Sequence, residues 1–313
     1  INQMQMEILL EHFLVNSILK YHPKLGILVK LLLEKNHTIY YLSTSKNKIR
    51  NRINYKGFYW NPATQEIDVN CFEGVETIIH LAGATIAKRW TSAYKKELLS
   101  SRIQSSDLLF KAIKENNFTI KNIISASGTA IYPESFDKIH TEDATQTAND
   151  FLADVVKQWE KSVDQFETLS IKVTKIRTGV VFANNGGAFL EMIKPIKLGF
   201  GAFMGNGNQI QSWIHLDDLV RLYYFVLENN LDGTFNAVAP NPVTNKELTK
   251  LVAKKLKKPL LLPNIPQFVM KLILGEMSIL LFSSKNLSSK KIQDLGFQFD
   301  YPDLESSLDN LLS

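Results

Sequence analysis

From Leu25 to Val238 the chain alternates between two kinds of apolar pattern, and that alternation constrains its fold more than any other feature. Leu25, Leu28, Val29 and Leu32 recur at helical spacing across Leu25–Lys35, and Asn36-His37 marks a stop. Thr38–Leu42 then reads as a short buried strand, and Glu76–Ala82 (ETIIHLA) as another that runs into Gly83. Ser92–Asn116 is long, charged and amphipathic, hence a helix. Lys121–Ala126 returns as a strand and enters a small-residue turn, Ser125–Tyr132. A helix over Asp150–Phe166, a strand over Lys172–Phe182, a helix over Asp217–Asn229 and a strand over Thr234–Val238 complete the series. Strands separated by helices pair in parallel, because each helix carries the chain back to the starting edge of the sheet. The pattern therefore predicts an α/β fold, a parallel sheet wrapped by helices. After Pro242 it changes to helices with connectors punctuated by Pro259, Pro263 and Pro266, which suggests a smaller terminal lobe.

Composition narrows the function classes. With 313 residues and 45% hydrophobic content, the chain has enough apolar matter for a sizeable core. The single cysteine, Cys71, excludes an intramolecular disulfide and a multi-cysteine metal site, and fits a reducing compartment. A net charge of +5 is too small to argue for nucleic acid. The charge is uneven, however: from His12 to Gln65 the sole acid is Glu34, while Lys46, Lys48, Arg50 and Arg52 alternate after an apolar stretch. The lysines of Lys246–Lys258 read as the solvated face of a helix. Ile1–Lys20 lacks the basic start, long apolar core and cleavage site of a secretory signal. Ile265–Phe282 is the most apolar window, but Lys271 and Glu276 flank Gly275 within it. It reads as buried or lobe-packing helices, not as a membrane span. The expectation is a soluble cytoplasmic monomer or homodimer with a small-molecule substrate, no nucleic-acid or membrane partner and no metal.

Several segments together carry a family resemblance: IIHLAGATIAKRW (Ile78–Trp90), SSRIQSSDLL (Ser100–Leu109), ISASGTAIYP (Ile124–Pro133) and QWEKS (Gln158–Ser162). IRTGVVFANNGGAF (Ile176–Phe189), SWIHLDDLV (Ser212–Val220), FNAVAPNPVTNKEL (Phe235–Leu248) and LGEM (Leu274–Met277) continue the run. The chain resembles the extended (atypical) short-chain dehydrogenase/reductases of the NAD-dependent epimerase/dehydratase superfamily. Within them it is similar to the epimerase family proteins that end in a domain of unknown function. The resemblance implies a Rossmann-type, doubly wound parallel sheet with a smaller, mostly helical C-terminal substrate lobe. It assigns 1–180 to the nucleotide-binding domain, with 208–238 returning to it. Residues 181–207 and 239–313 form the lobe, and about 247–311 is the family's C-terminal domain. Dinucleotide would lie across the carboxyl ends of the strands, where strand order reverses.

The resemblance also implies site residues, and here the chain departs from the family. The family's first strand leads into a glycine-rich turn close to T-G-G-T-G-x-x-G, whose bare backbone approaches the pyrophosphate. Gly26 matches the last glycine of that motif and is the sole glycine before Gly57. In Ile18–Lys24 (ILKYHPK), Tyr21 and His22 carry side chains where bare backbone is wanted, and Pro23 lacks an N–H. Two explanations stay open: loss of cofactor binding, or a stretch before Leu25 that is not the ancestral reading of the gene. At the end of the second strand Thr44, Ser45 and Lys46 stand without a carboxylate, which favours NADP(H) over NAD if dinucleotide binds. Leu81, Ala82, Gly83 and Ile86 border the cofactor, with Ser125 and Gly179 at neighbouring strand ends. Counted back from Trp159-Glu160, the usual Tyr and Lys of short-chain dehydrogenases, a proton-transfer pair, fall near Leu152 and Val156, neither of which moves a proton, and the resemblance implies that the branch as a whole departs from the pair here. Ser127, Thr129 and Tyr132 remain as catalytic candidates. Arg89, Trp90, Arg102, Trp213 and His215 are the expected substrate contacts, with Asp217 capping the helix that follows and Gly186–Gly207 forming a flexible loop over the cleft. The function so implied is an NADP-dependent oxidoreductase or epimerase acting on a small polar or nucleotide-linked substrate. The alternative is a cofactor-impaired, catalytically silent homologue that serves as a binding or regulatory module.

Overall fold

Strands β1 (Glu7–Glu11), β2 (Thr38–Ser43), β3 (Tyr55–Asn61), β4 (Glu66–Ile67), β5 (Thr77–His80) and β6 (Asn122–Gly128) build most of one sheet. A computed structural model of the protein describes residues 7–11 and 23–313. With β7 (Lys172–Thr178) and β11 (Gly233–Ala237), the sheet has eight strands in the order β11-β7-β6-β5-β1-β2-β3-β4. Every neighbouring pair is parallel except β3 and β4. Chain order runs outward from β1 to β3 on one side and resumes at β5 on the other. The reversal lies between β1 and β5, where Glu11 is in register with His80.

Helices cover both faces. α1 (Pro23–Glu34) and α5 (Leu216–Glu228) pack on one side, and α2 (Ser92–Asn116) and α3 (Phe151–Asp164) on the other. Consecutive strand residues therefore point into different cores. Ile8, Ile79 and Ile124 join Leu28, Leu32 and Leu222 on the first face. Leu9, Ile78 and Ile123 join Leu108, Leu109 and Trp159 on the second. Burial on both faces explains why these strands read as continuous apolar runs without alternation. Helix α2 begins at Thr91, whose side chain accepts from the Tyr94 amide, and ends at Asn117 in the left-handed region with φ 55. Pro23 opens α1, where a missing N–H costs no intrahelical bond. Ile18–His22 of the segment weighed as a glycine-turn replacement lie outside the described residues.

A third core belongs to the C-terminal lobe. It joins α4 (Ala188–Lys197), α6 (Asn245–Lys255) and α10 (Leu304–Leu312) around Phe182, Phe189, Ile193, Trp213, Val252 and Leu308. Here three sequence expectations change. Gly186–Gly207 is not a loop throughout, because Phe189, Ile193 and Ile196 supply an apolar stripe that folds α4 onto this core. The strand read over Lys172–Phe182 divides at Gly179: β7 stays in the main sheet, whereas β8 (Val180–Phe182) pairs with β10 (Trp213–His215). The Ile265–Phe282 window forms packing helices and not buried ones, with Met277 and Ile279 against the cluster of Trp90 and Leu152. α7 (Gln267–Leu274) buries none of its residues, and Phe268 and Leu272 are 66% and 77% exposed. β1 and β3 fall in segments where the sequence reading placed no element.

Gly179 is required by close approach. A Cβ at this position would stand 2.4 Å from the Ser212 carbonyl oxygen and 2.8 Å from Val238 Cγ1. Gly179→Ala should therefore lower stability by about 1–3 kcal/mol, the range for overpacking. Urea unfolding measures this, and a loss too small to resolve would contradict the account of this crossing.

Candidate active site at the carboxyl ends of the strands

The reversal of strand order opens a crevice at the carboxyl ends of β1 and β5, the place where ligands bind in open α/β sheets. One wall is the turn that leaves β5. Leu81 is half-buried, Ala82 is buried, and Gly83 lies directly over Arg102, so that a Cβ there would meet Arg102 Cζ at 3.0 Å. The turn is held from below. Ala84 N–H donates to Ser101 Oγ at 3.0 Å, and Arg102 Nη2 donates to the Ala84 carbonyl at 3.1 Å. Further along, Tyr94 donates its hydroxyl to the Thr85 carbonyl, and Trp90 Nε1 donates to the Ile86 carbonyl at 3.0 Å. These bonds fix the backbone of 84–90 against α2, while Ile86 and Arg89 remain exposed.

Arg102 is buried beneath this turn. Its Nη1 donates to the Leu98 carbonyl at 2.8 Å, and its guanidinium lies 4.9 Å from the centre of the Trp159 ring. Among the described residues no carboxylate pairs with it. Burial pushes its pKa down to about 10, with the Tyr94 hydroxyl acting in the opposite direction. His80, buried at the end of β5, places Nε2 3.1 Å from Ser106 Oγ, and that hydroxyl donates to the Arg102 carbonyl. Ser106 is thus a partner of His80.

The second wall follows β2. Ser43 is buried, and its Oγ accepts from Ser45 N–H at 3.2 Å. Thr44 and Ser45 are half-buried and Lys46 is exposed, with Nζ 4.6 Å from the centre of the Tyr59 ring. The basic loop that follows is anchored: Arg50 N–H donates to the Tyr41 hydroxyl at 2.6 Å, and Tyr41 stacks on Tyr55 at 4.5 Å. Gly26 sits half-buried in the first half of α1.

The third wall, at the ends of β6 and β7, holds a charged network. Ser127 donates Oγ–H to Glu160 at 2.5 Å, and Arg177 grips the same carboxylate with Nε and Nη2, both at 2.8 Å. Arg177 Nη1 donates to the Tyr132 hydroxyl at 2.9 Å, which donates in turn to Asn236 Oδ1 at 2.7 Å. Asn236 N–H then reaches Glu142 at 2.7 Å. Burial pushes the Glu160 carboxyl up, but the hydrogen bonds and charge of Arg177, aided by Ser127, outweigh it and hold the carboxyl below its ordinary value. Burial likewise opposes the charge on Arg177, and Glu160 and Tyr132 overcome it. The guanidinium pKa is raised.

Of the three catalytic candidates, Ser127 and Tyr132 therefore have their hydroxyls committed inside this network. Thr129 is half-buried and donates only a long bond, 3.4 Å, to the Thr178 carbonyl. Ser125 is fully buried and turns its hydroxyl onto the Ala126 carbonyl. Leu152 and Val156 lie buried on the face of α3 toward this wall, with Val156 Cγ2 3.2 Å from where a Gly128 Cβ would stand. Lys157 turns aside to Asp154 at 2.7 Å. Trp90 packs edge-on against Phe151.

Trp213 and His215 lie in the lobe core. Trp213 stacks on Phe182 and donates Nε1–H to the Asn241 carbonyl at 3.0 Å. His215, and not Asp217, supplies the cap of α5: its Nδ1 accepts from Asp217 N–H at 3.1 Å, while Nε2 meets Asn310 Oδ1 at 3.2 Å. Burial lowers the His215 pKa, with Asp217 and Asp218 opposing, and an accepting Nδ1 requires the neutral ring. Sequence reasoning missed Glu160, Arg177, Asn236 and Glu142. The available signal was a charge on the buried stripe Val156–Trp159–Val163 of α3 and another inside the apolar strand IRTGVV.

Removing one member of the buried pair strands the other's charge. Glu160→Leu should cost about 3–5 kcal/mol, and the double change Glu160→Leu with Arg177→Met should recover much of it. Chemical denaturation of both variants checks this; equal losses would contradict the pair. Because Glu160 titrates below the ordinary value of 4.5, its contribution is present above that pH and is lost as pH falls through the depressed folded-state value.

A family model described as the NAD dependent epimerase/dehydratase family matches residues 27–237, and a domain of unknown function matches 265–311. An epimerase family protein of Staphylococcus aureus is 37% identical over 271 residues, 86% of this chain and 87% of the relative. Another from Staphylococcus epidermidis is 32% identical over 301 residues, 96% and 94% of the two chains. Among solved structures, the human epimerase family protein crystallised with NADPH superposes with TM-score 0.80 and 26% identity, covering 98% of this chain and 99% of that one. The UDP-glucose 4-epimerase of Thermus thermophilus, in complex with NAD, shares the fold at TM-score 0.71 and 14% identity, covering 98% of each chain. By sequence and by fold alike, the chain belongs to the NAD dependent epimerase/dehydratase family and ends in that domain of unknown function.

Proposed function

We propose that the protein is an NADP(H)-dependent oxidoreductase or epimerase of the extended short-chain dehydrogenase type, acting on a small polar or nucleotide-linked substrate. The observation that carries this reading is the end of β2. Thr44, Ser45 and Lys46 present hydroxyls and an ammonium there, braced by the buried Ser43, and between Glu34 and Glu66 the chain has no carboxylate to repel a 2′-phosphate. These residues fit a nicotinamide dinucleotide phosphate. Thr44, Ser45 and Lys46 would hold its 2′-phosphate, and the turn Leu81–Gly83 with Ile86 would border its adenosine and pyrophosphate side. Ser125 and Gly179 would line the far wall, and Gly26 would face the crevice from α1. The human relative that superposes on this chain was crystallised with NADPH, which supports the same choice.

When bound, the nicotinamide supplies a hydride acceptor or donor. This chain's residues would hold and orient the substrate beside it and move the proton. Thr129 is the least committed hydroxyl at the end of β6 and is our candidate for the proton-transferring group. Ser127 and Tyr132, locked through Glu160, Arg177 and Asn236, would position the strand end beneath it. Arg89, exposed at the rim, would grip a phosphate or carboxylate of the substrate, with Trp90 beneath it and Arg102 fixing the turn. Trp213 and His215 would act only by shaping the lobe wall. The single cysteine, Cys71, is buried, in keeping with a cytoplasmic setting.

A second reading has its own observation: Leu152 and Val156 occupy the places of the family's proton-transfer pair. A binding or regulatory module would keep the nucleotide crevice and turn over nothing. Titration by intrinsic fluorescence separates the cases. The enzyme reading expects NADPH to bind and Lys46→Glu to weaken it about tenfold, the scale of one charge-assisted contact, while NADH affinity stays nearly unchanged. Absence of NADPH binding would overturn it, and NADPH binding without turnover of any carbonyl or nucleotide-sugar substrate would favour the module.

A further inference from the structure

The C-terminal lobe carries an apolar surface that no element of the described chain covers. Of the thirteen large hydrophobic residues exposed among the described residues, eight fall in four segments of this lobe. Leu198 and Phe200 follow α4, Leu261 and Leu262 lie in the connector after α6, and Phe268, Leu272 and Ile273 project from α7. Leu280, in the next short helix, is the eighth.

The segments adjoin one another. Ile265 N–H donates to the Phe203 carbonyl at 2.8 Å, and Gly205 N–H donates to the Ile265 carbonyl at 2.9 Å. Leu260 packs so closely on Gly201 that a Cβ there would overlap it at 2.6 Å. α7 begins two residues beyond Ile265. Phe268 and Leu272 are four residues apart on that helix and so share one face. Leu261, at 81%, is more exposed than either.

Charge around this surface is mainly positive, with Glu191 and Glu276 as the acids at its edges. Leu248–Gly275 contains six lysines and no carboxylate, and Met192–Leu216 contains Lys194 and Lys197 and no carboxylate. Lys255 is paired, with Asp309. Lys194, Lys197, Lys254, Lys257, Lys258 and Lys271 are exposed, and no ion pair joins them to any described residue. A contiguous apolar patch of this kind marks an interaction site. A lysine rim disfavours a second copy of the same face, because like charges would meet across the interface. Aromatic and leucine side chains flanked mainly by lysine are the composition of a segment lying in a bilayer interface.

We propose that this face docks the protein on an anionic lipid bilayer, with Phe268, Leu272 and Leu261 inserted and the lysine rim against the headgroups. The docking is peripheral: no helix among the described residues is long and apolar enough to cross a membrane. It departs from the expectation of no membrane partner and is independent of the dinucleotide reading. The face also adjoins the crevice, since Glu276 just beyond α7 pairs with Lys95 of α2.

Co-sedimentation of the full chain with phosphatidylcholine vesicles, with and without about one-third phosphatidylglycerol, tests this. Binding should be at least about tenfold stronger to the anionic vesicles and should weaken with added salt. Phe268→Ser with Leu272→Ser should abolish it. Lys257→Glu with Lys258→Glu, on exposed positions that leave the core untouched, should reduce it about tenfold. Circular dichroism confirms that both variants fold. Equal binding to neutral vesicles, binding unchanged in either folded variant, or no binding at all would overturn the proposal. So would a dimer in light scattering that Leu272→Asp dissociates, which would assign the face to a second copy.

Discussion

Every interior strand of the sheet is buried on both faces, and this constraint governs where chemistry can occur. Ile8 and Leu9 are fully enclosed, as are Ile78 and Ile79, so neither face of the sheet offers a surface to a ligand. Only the strand ends remain. At their carboxyl ends the reversal between β1 and β5 separates the connections, and the loops leaving β2, β5, β6 and β7 converge around the gap. Buried polar groups gather here, and others lie elsewhere, Thr77 and Asp218 among them. The Glu160–Arg177 pair, with Ser127 and Tyr132 as its outer partners, stiffens the β6–β7 side, and Arg102 does the same for the turn after β5. A buried pair of this kind is weak evidence of net stability, because desolvation offsets the attraction. Its effect is to hold two strand ends in one geometry.

Much of this architecture is legible in the sequence. The alternation of strand and helix gives the parallel sheet, and double-sided burial leaves its mark as uninterrupted apolar runs such as TIIH and NIIS. The location of the crevice also follows, since it depends on connection order more than on any one residue. Tertiary contacts limit the rest. The break at Gly179 depends on Ser212, far along the chain, approaching within 2.4 Å of an added Cβ. The capping role of His215 depends on Asn310 and Tyr301 enclosing the ring. Glu160 and Arg177 read locally as ordinary charged residues, and their pairing spans an α-helix and a strand.

The most apolar window was the least legible. Amphipathic composition predicts burial in Ile265–Phe282 because an apolar stripe normally finds a core. In this lobe the core is already filled by Phe189, Ile193, Trp213, Val252 and Leu308, so α7 remains outside it. The same excess of apolar surface, rimmed by lysine, lies beside the crevice that the family resemblance points to. The crevice at the strand ends and the exposed apolar face of the lobe are thus linked through the Lys95–Glu276 pair.

On the proposed reading, dinucleotide phosphate enters the crevice between the ends of β2 and β5. Hydrogen–deuterium exchange with and without saturating NADPH addresses it at the level of the backbone. Slowed exchange is expected in 43–46 and in 81–86, with 260–274 unchanged. Unaltered exchange in both crevice segments at saturating NADPH would contradict it.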